Sequence, residues 1–109
     1  MSRPATAAAR KPRNGANALP LDELIENFGI AVRQLREVRG WSQEELAERS
    51  NLNRSYVGEI ERGRVIASIL TAQKLASALE INIASLLTRC EQLEQQRTVR
   101  RIKLAAIAC

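Results

Sequence analysis

The stretch from Gly40 to Gly63, GWSQEELAERSNLNRSYVGEIERG, leaves the fold little freedom. Ser42 stands where a helix N-cap is needed, and Glu45 follows three residues later, the pattern of a capping box. The helix it opens, about Gln43 to Arg49, turns Leu46 and Ala47 inward. Asn51 suits a left-handed turn position, which its short polar side chain tolerates. Asn53 then caps a second short helix, Arg54 to about Arg62, and Gly63 stops it. Val57 and Ile60 lie three apart and form one buried stripe of that helix. Arg54, Ser55, Gly58, Glu59 and Arg62 fall on its other side.

The same periodicity continues on both sides. Phe28, Val32, Leu35 and Val38 recur at helical spacing within residues 21–39, and Gly40 ends that helix. Ser68 caps a fourth helix with an inner stripe of Ile69, Ala72, Leu75, Ala76 and Leu79. Asn82 caps a short fifth helix carrying Ile83, Leu86 and Leu87. Nothing reads as a strand, so residues 21–89 are expected to form an all-α domain of five helices. Residues 1–20 are rich in Ala, Arg, Pro, Asn and Gly without apolar periodicity and read as a disordered basic arm. Their Ala/Arg bias is also that of an organellar transit peptide, although only Ser2 and Thr6 bring hydroxyls. Residues 90–109 form a C-terminal tail whose state is open. Leu93, Val99, Ile102, Leu104 and Ile107 are apolar, but Arg97, Arg100, Arg101 and Lys103 interrupt any heptad. An extension of the last helix, a segment that folds only in a dimer and a disordered tail all fit this pattern.

Composition narrows the chemistry. The 109 residues suffice for one domain plus tails. With Phe28, Trp41 and Tyr56 the only aromatic residues, the core must be aliphatic, and Trp41 reads as a plug in it. Histidine is absent, which removes the commonest general base and a common zinc ligand. Cys90 and Cys109 form no CxxC pair and read as inert thiols in a reducing cytoplasm, so neither a metal nor another cofactor is expected. There is no phosphate-binding glycine loop and no clustered carboxylate pair, which argues against an enzyme. No apolar run approaches the ~20 residues of a membrane span. The net charge of +5 is uneven: +4 in residues 1–20, −1 in residues 21–89 and +2 in residues 90–109. Basic tails of this kind favour polyanions such as nucleic acid.

Two helices joined by a tight turn form a helix-turn-helix. FGIAVRQLREVRGWSQEELAERSNLNRSYVGEIERGRV followed by LTAQKLASALEINIASLL resembles the phage repressor/Cro-type (XRE-type) DNA-binding domain, a λ-repressor-like fold. The likeness spans about residues 27–88, with LR before a glycine turn, SQEELA, IERG and KLASAL in the family's order. Within that family, RSYVGEIERG is most like the restriction-modification controller proteins.

The resemblance implies that the third helix lies in the major groove of duplex DNA. Asn53, Arg54, Ser55 and Glu59 match positions that face base edges. Arg54 suits guanine O6 and N7, and Glu59 suits a cytosine amino group or the orienting of Arg54. Ser42 and Gln43, at the start of the second helix, and Tyr56, Arg62 and Arg64 match or neighbour phosphate-contacting positions. A bare Gly58 on the outer face would let the helix approach the groove closely. Arg36 and Glu61 match a buried pair joining the first helix to the third. Arg10, Lys11 and Arg13 of the arm suit a minor groove. One departure stands out. Val65, Ile66 and Ala67 replace the polar residue and proline that often follow the third helix, which leaves Val65 and Ile66 near the surface, toward a partner.

The expected function is therefore sequence-specific regulation of transcription on double-stranded DNA, in the cytoplasm of a bacterium and at its nucleoid, or in a phage-encoded system. A homodimer on a palindromic operator is expected, with Ile83, Leu86 and Leu87 as its interface. The alternative is an antitoxin or adaptor, whose helices and apolar tail bind a protein partner.

Overall fold

The computed structural model describes residues 21–108. The arm of residues 1–20, with Arg10, Lys11 and Arg13, lies outside the described residues, as does Cys109. Five helices follow in order: α1 (Leu21–Val38), α2 (Gln43–Ser50), α3 (Arg54–Glu61), α4 (Ile69–Ala78) and α5 (Ile83–Ala108). No strand occurs among the described residues.

The caps act as their residue types dictate. The Ser42 hydroxyl accepts from the Glu45 amide at 3.0 Å, Asn53 Oδ1 from Ser55 at 2.7 Å, and Ser68 Oγ from Thr71 at 3.0 Å. Asn82 Oδ1 accepts from Ser85 at 2.7 Å. Each satisfies an amide that the first helical turn leaves without a partner. The capping box at Ser42 is only half made, because the Glu45 carboxylate turns to Arg49 Nε at 2.6 Å. Asn51 adopts φ 58° and Gly40 and Gly63 adopt φ 73° and 72°, so the three turns sit where the sequence places them. Glu80 also takes a positive φ, 61°, with neither glycine nor asparagine to signal it.

Val32, Leu46, Val57, Ile60, Leu75, Leu79 and Leu86 are sealed from solvent in one core, with Ala31, Ala47 and Ala76 at the close approaches. Eight-residue helices such as α2 and α3 are unstable alone. Burial of Val57 and Ile60, worth about 1.5–3 kcal/mol each, is what holds α3 in place. Two expected core positions are not in the core. Val38 is 79% exposed and Ile69 is 82% exposed, because each stripe runs past the end of the helices packed against it. Trp41 is not a full plug: it is partly buried, with the Arg49 guanidinium 4.3 Å and the Arg39 guanidinium 5.2 Å from its ring centroid.

The fifth helix is not short. It continues unbroken through the segment whose state the pattern left open, and the helical extension is the alternative realised up to Ala108. Cys90 is buried, and Leu93 packs against the core. Beyond them polar contacts clasp α5 to the first half of α1. The Asn27 amide donates to Glu94 at 3.2 Å, Arg97 donates to Asn27 Oδ1 at 3.0 Å and to Glu26 at 3.2 Å, and Arg101 meets Glu23 at 2.6 Å. Asn27 is fully buried, yet its oxygen and its nitrogen are both satisfied.

Candidate nucleic-acid interface

Helix α3 is bolted down at its C-terminal end. Gly29 of α1 lies against its backbone so closely that a Cβ there would stand 2.3 Å from the Ile60 carbonyl oxygen and 2.8 Å from that of Glu61. The Glu61 carboxylate accepts from Arg36 Nε at 2.7 Å, from Arg36 Nη2 at 3.0 Å and from the Gln43 amide at 2.9 Å. Arg36 Nη1 also donates to the Trp41 carbonyl at 2.7 Å. The hydrogen-bonded Glu61 carboxylate holds Arg36 more firmly in its charged form than burial disfavours it. One bidentate pair thus joins α1, the turn before α2 and α3. The expected Arg36–Glu61 pair is present, and Gln43 completes it.

That anchor leaves the other face of α3 in water. Arg54 and Ser55 are exposed, and their side chains make no hydrogen bond or ion pair among the described residues. Asn53 is exposed too, but its oxygen is committed to the amides of Ser55 and Tyr56, which leaves its NH2 group as donor. Glu59 does not orient Arg54. Its carboxylate accepts from Arg62 Nη2 at 2.7 Å and lies 3.8 Å from Arg64 Nη1. The Arg62 hydrogen bond holds the Glu59 carboxyl below the usual carboxylate range, so it stays ionised at neutral pH.

The phosphate candidates divide. Ser42 is exposed, while its oxygen caps α2. Gln43 spends its amide N–H on Glu61, so its side chain is tied inward, and with the Glu45 N–H capped by Ser42 the backbone N–H groups of Gln43 and Glu44 are the ones left at the α2 N-terminus for an anion. Arg62 and Arg64 are exposed beside Glu59. The Tyr56 hydroxyl is 3.3 Å from Thr71 Oγ1, and its ring packs on the core.

Gly58 is not on the outer face. It is buried, and a Cβ there would meet the Arg62 guanidinium at 3.1 Å and Gln43 Oε1 at 3.4 Å. Its bareness makes room for those two side chains rather than for DNA. Two residues that fix the scaffold carry little signal in the sequence: Gly29, a glycine inside a helix, and Asn27, an amide on a helix face that is covered by α5. Of the expected interface residues, Leu86 is in the core and unavailable to a partner, Ile83 is partly buried, and Leu87 is 45% exposed. Val65 likewise packs on the core, whereas Ile66 is 73% exposed.

No group of three or more metal-ligating side chains occurs among the described residues, and none of their helices is long and apolar enough to cross a membrane.

Known proteins of similar sequence and fold are helix-turn-helix regulators. The chain is 43% identical over 67 residues to the control protein C.SmaI of Serratia marcescens, covering 62% of this chain and 80% of that one. It is 38% identical over 58 residues to the immunity repressor of Bacillus phage phi105, covering 53% of this chain but only 40% of the repressor. Among solved structures, the restriction-modification controller protein C.AhdI from Aeromonas hydrophila superposes with a TM-score of 0.56 at 47% identity, over 59% of this chain and 96% of that one. Residues 32–86, from the middle of α1 to the first turn of α5, match the helix-turn-helix family HTH_3, and the chain belongs to that family.

Proposed function

We propose that the protein is a transcriptional regulator that reads double-stranded DNA sequence with the outward face of α3. The observation that carries this reading is the contrast between the two sides of that helix. One side is fixed by buried Val57, Ile60 and the Arg36–Glu61 pair, and the other offers Arg54 and Ser55, whose side chains have no partner among the described residues. An exposed, uncommitted guanidinium on a rigid helix suits bidentate hydrogen bonding to a guanine edge. Asn53, through its NH2 group, and Glu59 complete the base-facing set. Glutamate repels phosphate, which favours a base amino group as its partner. The N-terminus of α2 at Ser42 and Gln43, with Tyr56, Arg62 and Arg64, supplies the backbone grip that positions without reading sequence.

One such helix spans only a few base pairs, so the regulator works as a homodimer on a palindrome with half-sites ~34 Å apart. Ile83 and Leu87 remain in its interface, without Leu86. It acts on the nucleoid, in the cytoplasm. Arg54→Ala tests the reading: the variant keeps its fold and loses preference at one base position per half-site, worth ~1–3 kcal/mol. A uniform loss over all sequences would make Arg54 a phosphate ligand and overturn its assignment.

A further inference from the structure

Arg62 and Arg64 leave α3 by different routes and return to one carboxylate oxygen. Arg62, the C-cap of α3, bends back over buried Gly58, where its Nη2 and Nη1 lie 3.1 and 3.4 Å from the point a Cβ would occupy. From there Nη2 donates to Glu59 Oε2 at 2.7 Å. Gly63 takes a left-handed conformation, its amide donates to the Ile60 carbonyl at 3.0 Å, and the Arg64 amide donates to the Glu59 carbonyl at 3.0 Å. This turn folds the chain back on the helix end and brings Arg64 Nη1 to 3.8 Å from the same Oε2. Glu59 Oε1 has no hydrogen-bond partner among the described residues. Glu59 itself stands one turn beyond Ser55 on α3.

An exposed ion pair adds little stability, so the consequence of this cluster is geometry. Glu59 holds a long, rotamer-rich side chain in one place, and a side chain ordered before binding loses less entropy when it meets a ligand. Two guanidinium groups around one carboxylate leave the cluster positive, and Arg62 keeps most of its N–H donors free. We propose that Glu59 is a positioning residue for the phosphate grip. Through Oε2 it presents the Arg62 guanidinium to the DNA backbone, while Oε1 stays free for a base amino group, so one side chain couples the reading of sequence to backbone contact. The inference rests on the role of α3 proposed above and gives Glu59 a second task within it. It reverses what a lone carboxylate beside DNA would do, which is to repel phosphate, so that its removal tightens binding to every sequence.

The test uses the full chain and two duplexes of equal length, one enriched by selection with the wild type and one of random sequence. The slope of log affinity against log salt is measured for the wild type, Glu59→Ala, Arg62→Ala and the double variant. The Glu59 and Arg62 side chains are 36% and 48% exposed, so the variants fold, which their thermal unfolding curves verify. Glu59→Ala is expected to flatten the slope by about one phosphate contact, ~0.9, on both duplexes, although it makes the protein more positive. Arg62→Ala flattens it by as much, and the double variant no further than Arg62→Ala alone. An unchanged or steeper slope in Glu59→Ala, with tighter binding to both duplexes, would make Glu59 a repelling charge and overturn the inference. Losses that add in the double variant would overturn it too. If selection enriches no sequence, the reading of α3 fails, while the slopes on the random duplex still decide the role of Glu59.

Discussion

Replacing Gly29 by alanine adds a single methyl group to the interior and strikes the contact on which the orientation of α3 depends. The new Cβ would lie 2.3 Å from the Ile60 oxygen and 2.8 Å from the Glu61 oxygen. Close carbon–oxygen contacts sit at about 3.3 Å, so α1 and α3 must separate by roughly 1 Å. Both obstructing atoms are backbone, and no rotamer change can clear them. Overpacking of this kind costs about 1–3 kcal/mol, and here it also pulls on the 2.7 Å bond between Arg36 and Glu61. Alanine recovers about 1 kcal/mol of helix propensity. The expected net loss is up to about 2 kcal/mol, toward the upper part of that range because backbone atoms obstruct, read as a lower midpoint in urea with an unchanged slope. Gly58→Ala is the control. Its Cβ meets only the flexible ends of Arg62 and Gln43, at 3.1 and 3.4 Å, so the propensity gain offsets most of the crowding and stability barely moves. A Gly29→Ala midpoint at or above the wild type would refute the close crossing of α1 and α3.

Two further outcomes follow from buried groups. Burial pushes the Cys90 thiol up from 9.0 to about 11, so its neutral form is the one the fold keeps. The stability this contributes is fully present below pH 9 and is lost as pH rises toward 11. In a Cys109→Ser background the thiol is expected to resist alkylation at pH 8 until the chain unfolds, and rapid labelling of the native protein would contradict its burial. Arg36→Met strands the Glu61 carboxylate with Gln43 alone and is expected to cost about 3–5 kcal/mol, whereas adding Glu61→Leu restores a large part of it. Additive losses in that cycle, followed by denaturant unfolding, would count against a coupled pair.

Much of the scaffold is legible because it is locally encoded. Ser42, Asn53, Ser68 and Asn82 cap the helices they precede, since a cap needs only its own next turn. Asn51, Gly40 and Gly63 take the left-handed positions their side chains permit. What escapes reading depends on residues distant in the chain. Gly29 and Gly58 look alike as interior helix glycines, and only the fold decides that a backbone presses on one and two flexible side chains on the other. The arginines of the last segment break any heptad because two of them serve α1 instead: Arg101 reaches Glu23 and Arg97 reaches Glu26. Leu86 and Leu87 are adjacent and equally apolar, yet one is sealed in the core and the other half in water. The site itself shows the same division. The exposure of Arg54 and Ser55 follows from the stripe opposite them, whereas the capture of Glu59 by Arg62 follows from rotamers that no spacing specifies.

The most direct test is selection of randomised duplex DNA by the full-length protein at two salt concentrations. An enriched palindrome, with half-sites about one helical turn apart, is expected to persist at the higher salt. Binding that collapses with salt and enriches no sequence would mean a nonspecific electrostatic grip, and α3 would not be a reader of bases.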